Sequence, residues 1–430
     1  MSSTACPYAA HPAPGRSGWA ASRLLPCSSE PRAFPFYRSL HSRGPIRLAP
    51  TPAGFSGWLV LRHDVARQWL NDRRLVNDAR SVLPSHHGMP HLRYATDFLT
   101  VLPSPLSRDH TEHRRLRAIF TQQLHKAAVR RRAPLVHRTV AEALDALARH
   151  READLVTDYI LPIATNVAGD LIGIPPRRRA DAAGLVRVLS STAHPQAPHM
   201  LDAAARLSAH IRAALTEAER DPADNIATSA LRAYRSGAVS SRQDLVGMLI
   251  SAMFAALDSN IASASSGSLH LLRDPQARQR LVGDAAGRHR VLEEVLRLSA
   301  PFSGSNYRFA TEPLRIAGCE VARGDVVVFS FKAANLDPRT WPNPEQLDPA
   351  RDAPAGHLTF GHGPHYCAGA TLGRLVLDTT LTQLFRRLPD LRLAADGSTL
   401  PYRVAVARHP ESLPVLTGTR RPGRRGASGV

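Results

Sequence analysis

The sequence predicts a mainly α fold with a minor β region, folded as one large domain. Three observations carry this. Apolar residues recur at helical spacing over long runs, above all 154–174 and 244–272. Short strand-and-turn patterns gather at 301–331 and return near the C-terminus. No shift in composition divides residues 32–416, although 430 residues with 43% hydrophobic content could bury two or three cores.

Taken in order, residues 1–31 are rich in Ser, Ala, Pro and Arg and carry no acid before Glu30, which reads as a disordered extension. A helical start follows from Phe34, then a strand at Gly57–Leu61 and a helix through Val65, Trp69 and Leu70. After a loop of about 81–105, the stretch Ser107–Leu124 places His113, Leu116, Arg117 and Phe120 at helical spacing. His113 and Arg117, four apart, project from one face. Further helices are expected at Val140–Leu147 and Asp154–Ile174, the second ended by Pro175-Pro176. A stretch broken at Pro195 and Pro198 leads to the longest helical pattern, Asp244–Leu272. Leu292–Arg297 carries Glu294 and Arg297 at i and i+3, able to pair on one face. Strands are expected at Phe302–Ser305, Arg308–Ala310, Leu314–Ile316 and, after the turn Arg323-Gly324-Asp325, Val326–Phe331. A last helix runs from the residues after Cys367 to about Leu388. Short strands follow near Leu391–Leu393, Tyr402–Val406 and Leu413–Leu416, and 417–430 reads as a basic disordered tail.

Composition narrows the function. The net charge is +19, yet all but Lys126 and Lys332 of the 55 basic residues are arginine, spread along the chain without interleaved aromatics or a nucleic-acid motif. Nucleic acid is therefore not an expected partner. A basic patch near the Cys367 loop suits an acidic electron-transfer protein instead. Four dispersed cysteines without a CxxC spacing suit a reducing, cytoplasmic setting. No run approaches the roughly 18 apolar residues of a membrane helix, so no membrane is expected either.

The chemistry concentrates in Phe360–Gly369, FGHGPHYCAG. Cys367 stands among Gly361, Gly363 and Gly369, and glycine permits positive φ and close backbone approach. The run reads as a tight loop delivering a thiolate to something flat and bulky. Haem iron takes such a soft ligand where the O–O bond is to be cleaved. A structural cysteine in a glycine-rich turn and a cysteine nucleophile working with His365 are the other readings. A colourless active protein would establish the last.

The pattern Phe-x-x-Gly-x-x-x-Cys-x-Gly is matched in full, and the sequence here resembles the cytochrome P-450 family of haem-thiolate monooxygenases, in its soluble bacterial form. The resemblance implies one haem b (iron protoporphyrin IX) held between helices, with Cys367 on the iron and Phe360, Gly361 and Gly369 framing the loop. It implies that His113, Arg117, Arg308 and His365 hold the haem propionates. Asp258 and Ser259, after the small pair Ala255-Ala256, would deliver protons; Ser259 and Asn260 stand where the family has threonines. Glu294 and Arg297 would brace the loop from below. Their usual third partner, an arginine, is replaced by Gln346, and Arg351 is expected to take its place. The substrate would meet the loop of about 81–105, a lid near 190–200, Ala255, Ala256 and Phe302–Gly304, including Ser303.

The implied reaction inserts one oxygen atom from O2 into a small organic substrate, a secondary metabolite. Electrons would come from NAD(P)H through a separate ferredoxin- or flavodoxin-type donor and its reductase, because no flavin- or iron-sulfur-binding segment is fused here. Two alternatives stay open. One is oxidative coupling without oxygen insertion, on a substrate borne by a carrier protein, to which the altered Ser259-Asn260 pair points. The other is a non-catalytic haem-binding sensor, which would need no acid-alcohol pair.

Overall fold

A computed structural model describes residues 30–50, 56–82, 104–191, 197–351, 356–394, 400–403 and 407–418. The expected extension up to residue 29, the tail from 419, positions 83–103 of the loop and 192–196 of the lid lie outside the described residues.

Helix α1 (Glu30–His41) buries Tyr37 and Leu40. Strands β1 (Ile46–Pro50) and β2 (Ser56–Val60) pair antiparallel, followed by α2 (His63–Trp69) and β3 (Leu75–Val76). Helices α3 (His110–Leu124) and α4 (Lys126–Leu147) come next, the latter continuing through Pro134. Beyond β4 (Glu152–Asp154), the run read as one helix from 154 to 174 divides into a π-helical stretch, Leu155–Ile160, and α5 (Leu161–Ile172). Helix α5 ends on Gly173 in the left-handed region, φ 99°, whose N–H reaches the Gly169 carbonyl. Pro176 does not end that helix but opens the next, α6 (Pro176–Leu189), where a missing N–H costs nothing.

Helices α7 (Pro198–Arg220) and α8 (Ile226–Arg235) lead to α9 (Arg242–Arg273), the 32-residue axis of the fold, then α10 (Pro275–Val282) and α11 (Ala285–Ser299). Strands β5 (Arg308–Ala310), β6 (Leu314–Ile316), β7 (Cys319–Val321) and β8 (Val326–Phe329) precede α12 (Phe331–Asn335). After α13 (Ala370–Arg387) come β9 (Arg392–Leu393), β10 (Tyr402–Arg403), β11 (His409–Pro410) and β12 (Pro414–Leu416). The largest sheet has the order β1-β2-β8-β5-β3, in which only β2 and β8 run parallel. The described structure is thus mainly helical with a minor β region.

Two strand assignments need correction. Phe302–Ser305 is not a strand: Phe302 makes one isolated bridge to Ala407, while the Ser305 N–H turns to the Phe329 carbonyl at 2.8 Å. Its backbone groups thus go to different neighbours and no ladder can run on. Phe331 leaves β8 for α12 because the Ser330 hydroxyl accepts from the Ala333 N–H and starts a helix there.

Helix α9 packs on α5, α11 and α13. A Cβ at Gly267 would lie 2.8 Å from Val295 of α11 and 3.0 Å from Leu381 of α13, so glycine sets how closely the three helices meet. Helix α9 and Leu155–Ile172 are long and apolar enough to cross a membrane, contrary to the sequence expectation, but 61% and 67% of their most apolar windows are buried inside the fold. They are core helices.

Under this core Arg297 is fully buried. Its guanidinium grips Glu294 at 2.7 and 2.9 Å and donates to the carbonyls of Asn335, Pro344 and Gln346. Arg351 Nε reaches Glu294 at 3.3 Å. Gln346 contributes its backbone oxygen, which accepts from both Arg297 and Arg351. Breaking this buried pair should cost roughly 3–5 kcal/mol in Arg297→Ala, whereas Gln346→Ala should stay within about 0.5 kcal/mol of the parent. Denaturant unfolding of both variants measures the contrast.

His409, in β11, is buried, and burial pushes its ring down to about 4, with Arg187 and Arg403 acting in the same direction against its contact with the Pro410 carbonyl. A ring held neutral in the fold binds its proton first in the unfolded chain. Its contribution is therefore complete above about 6.5 and lost as pH falls toward 4, on the order of 3 kcal/mol in all. His409→Gln should flatten the fall in stability between those pH values, followed by melting at half-unit steps.

Candidate functional site

The Cys367 loop is built by its glycines. Gly361 and Gly363 take φ 72° and 75°. At Gly363 a side chain would also collide with Asn71 and come within 3.1 Å of the Leu70 carbonyl. The Cys367 N–H closes the loop on the Phe360 carbonyl at 2.8 Å, and α13 begins three residues on, its first N–H reaching the Cys367 carbonyl at 3.3 Å.

Cys367 is exposed, while the protein packed around it pushes its thiol up; a backbone hydrogen bond from Gly369 and the charges of Arg117 and Arg374 pull it down.

Three elements bring basic groups to one side of this loop. His113 of α3 is buried, and its ring lies 4.0 Å from that of His365, centre to centre. Burial, then His365 and Arg117, push His113 down to about 4. Arg117, one turn on, donates to the Tyr366 carbonyl, next to the cysteine. Arg308 of β5 is buried with its Nη1 3.4 Å from the Leu75 carbonyl, and burial lowers it to about 10, with Asp109 opposing. Its Nε is buried with no hydrogen-bond partner.

Sequence reasoning missed the acid among them. Asp109, just before α3, accepts from the N–H groups of Asn77 and Asp78 at 2.7 and 2.8 Å and from the Asn77 amide at 3.0 Å. His365 Nε2 stands 2.8 Å from that amide and 3.3 Å from Asp109. Burial opposes ionisation of Asp109, but the bonds from His365, Asn77 and Asp78 hold it well below the usual carboxylate range. Its spacing, four before His113 and eight before Arg117, was the available signal.

One carboxylate against two arginines and two imidazoles leaves the cluster able to accept further negative charge. An exposed thiol, an orphaned guanidinium nitrogen and this excess of donors fit an iron porphyrin with two propionates. Cys367 could take the iron, and His113, Arg117, Arg308 and His365 the carboxylates.

Behind the loop, Arg374 of α13 lies over the Phe360 ring at 4.5 Å and clasps Glu293 of α11 at 2.7 and 2.9 Å. His357 Nε2 is 3.2 Å from the same Glu293. This clasp, also missed from the sequence, joins the helix of Glu294 and Arg297 to the cysteine loop.

In the middle of α9, Ala255 is exposed although Met253 and Leu257 are fully buried. Ala256 is partly buried. Ser259 donates to the Ala255 carbonyl at 2.5 Å and Asn260 to the Ala256 carbonyl at 2.7 Å, consecutive side-chain bonds to the preceding turn that loosen a helix. Asp258 is buried and accepts from Ser190 at the end of α6. Burial raises its pKa, against that bond and the charges of Arg403 and Arg187. Phe302 and Ser303 are partly buried beside α12, where the Lys332 N–H reaches the Ser303 carbonyl at 3.2 Å.

Comparison with known proteins agrees with this geometry. A family model described as Cytochrome P450 matches residues 288–392. The chain is 32% identical over 391 residues to a Cytochrome P450 BJ-1 homolog of Sinorhizobium fredii, covering 89% of this chain and 95% of that one. It is 27% identical to the polyketide biosynthesis cytochrome P450 PksS of Bacillus subtilis, covering 84% and 89%. Among solved structures, the cytochrome P450 enzyme CxnD, described as serving C–S bond formation in chuangxinmycin biosynthesis, superposes with a TM-score of 0.81 at 26% identity, over 92% of this chain and 97% of that one.

If the buried guanidinium is a cofactor anchor, Arg308→Ala should lose a charge-assisted bond of about 1.5–3 kcal/mol, a roughly tenfold or greater weakening of haem retention. Transfer of haem to excess apo-globin reads this directly. Retention equal to the parent's would remove Arg308 from the anchoring set.

Proposed function

The chain belongs to the cytochrome P-450 family, oxidoreductases that hold haem iron, and on that premise we propose that it inserts one oxygen atom from dioxygen into a small secondary-metabolite substrate. Its haem domain is read as 32–416, with 1–31 and 417–430 outside it. The observation that carries the reading is the exposed Cys367 on its glycine-built loop beside the basic cluster of His113, Arg117, Arg308 and His365, with the acid-alcohol pair Asp258-Ser259 on the long helix α9. The name of the polyketide-biosynthesis relative supports the substrate class.

Bound haem supplies dioxygen activation and the transfer of an oxygen atom. The residues of this chain prepare it. Cys367 receives one backbone N–H from Gly369 and feels the charges of Arg117 and Arg374, which favour a thiolate against the cost of burial. His113, Arg117, Arg308 and His365 fix the cofactor's orientation through its carboxylates. Asp258, pushed up by burial, holds a proton more readily than an ordinary carboxylic acid. Ser259 carries a hydroxyl next to it, and must turn from the Ala255 carbonyl to pass a proton on. A positioned relay of this kind contributes about 10²–10⁴-fold.

Electrons come from NAD(P)H through a separate ferredoxin- or flavodoxin-type donor and its reductase. A shallow groove of about 710 Å³ supports this, lined by Arg114, Arg117, Arg232 and His125 against the single acid Asp224. Arg117 joins the groove to the backbone next to the cysteine. An acidic donor would be steered there.

A second reading keeps the haem but replaces oxygen insertion by oxidative bond formation, on a substrate delivered by a carrier protein. One observation favours it: Asp258 and Ser259 are engaged with Ser190 and the Ala255 carbonyl. The C–S bond formation described for CxnD gives it a relative of similar fold.

Labelled dioxygen distinguishes the two, because insertion leaves one labelled atom in the product and coupling leaves none. Under the first reading, Ser259→Ala should lower product formed per NADPH and release peroxide instead; unchanged coupling would remove the relay. Arg114→Glu should raise the donor concentration needed for half-maximal haem reduction by about tenfold at low salt, with the difference shrinking as ionic strength rises. An unaltered dependence would place docking elsewhere.

A further inference from the structure

Helix α11 carries two adjacent acids with different partners. Glu294 goes to Arg297 and Arg351, while Glu293 takes Arg374 of α13. We propose that Arg374 and Glu293 form an oriented charge pair that sets the reduction potential of iron held by Cys367, both being positioning residues that act through the thiolate. The proposal rests on the haem reading given above.

Orientation is the first argument. Arg374 Nε and Nη2 face Glu293 at 2.7 and 2.9 Å, a two-point fork that fixes the guanidinium plane. The remaining corner, Nη1, stands 3.5 Å from the Tyr366 hydroxyl, so the acid and the neighbour of the cysteine meet opposite edges of one cation. The guanidinium carbon also lies 4.5 Å over the Phe360 ring, and the Phe360 carbonyl accepts from the Cys367 N–H. Arg374 thus lies against residues at both ends of the loop, with its acid set behind it on α11.

Charge is the second. Besides the protein packed around it and the Gly369 N–H, the Cys367 thiol feels Arg117 and Arg374, and Glu293 is not among the groups that act on it. Burial opposes ionisation of Glu293, yet Arg374 and His357 hold it well below the usual carboxylate range, so the pair stays ionised. Arg117 has a propionate to meet in the haem reading. Arg374 keeps the same partner throughout.

The sign follows from the reaction. Uptake of one electron adds one negative charge to the iron and its thiolate, with no bond broken and no proton moved. A cation on the sulfur side favours that state, and an acid behind the cation weakens its pull. The pair therefore governs how readily the iron takes its first electron from the donor. A plain staple between α11 and α13 predicts something else, because removing either partner would loosen the same contact.

Potentiometric titration of the haem-loaded full chain with dithionite separates the two. Arg374→Gln should lower the equilibrium constant for one-electron reduction about fivefold, whereas Glu293→Gln, which still offers Arg374 an acceptor, should raise it about threefold. Arg374→Lys keeps the charge and loses the fork, so its constant should stay within about twofold of the parent's while its melting temperature falls. Shifts of the same sign in Arg374→Gln and Glu293→Gln, or no shift in either, would overturn the proposal. If Arg374→Gln does not retain haem, Glu293→Gln decides: a raised constant supports the pair, and an unchanged or lowered one overturns it. A parent whose reduced carbonyl complex lacks the red-shifted absorption of thiolate ligation would overturn the haem reading and the proposal together. Unmoved constants beside that absorption would overturn the proposal alone.

Discussion

The buried guanidinium of Arg297 is the contact on which the site depends. It fastens α11 to the carbonyls of Asn335, Pro344 and Gln346, and Asn335 passes the constraint on. The Asn335 amide donates to Thr359 at 2.9 Å and accepts from the Leu358 N–H at 2.7 Å, while the Thr359 hydroxyl returns to the Leu296 carbonyl. Phe360, the next residue, opens the loop that ends at Cys367. A charge with five donors in a fixed plane can bind one carboxylate and three carbonyls at once, which a lysine could not. The cysteine is thus placed by a chain of bonds that begins some 70 residues earlier in the sequence.

Arginine performs this internal work repeatedly. Arg308 and Arg132 are buried too, the latter bonded to Gln123 and the Asp224 carbonyl. Part of the large positive charge of the chain is therefore structural. The rest reaches solvent at least in part, as groups that a partner could meet, and the groove beside α3 gathers several of these.

Much of the fold was legible because its signals are local. The Cys367 loop is marked by glycines whose φ values are positive, and α9 by an apolar period sustained over its length. Arg351 could be named as the third partner of Glu294 because it lies close in sequence to the position that lacks an arginine. What escaped was settled by distant partners. The role of Gln346 is its backbone oxygen, which has no side-chain signature. Phe302–Ser305 has strand-like residues but no ladder to join. The helical spacing of Asp109 to His113 and Arg117 marked its face, but its bond to His365, 256 residues away, lies beyond any local signal.

The contact at Gly267 bears on how the molecule yields to compression. With Val295 and Leu381 filling the space a side chain would take, α9, α11 and α13 meet without slack. Close-packed interiors have low compressibility, and voids are what pressure removes. The register between the helix that carries Ser259 and the helices on either side of the cysteine loop is therefore the stiff part of the protein.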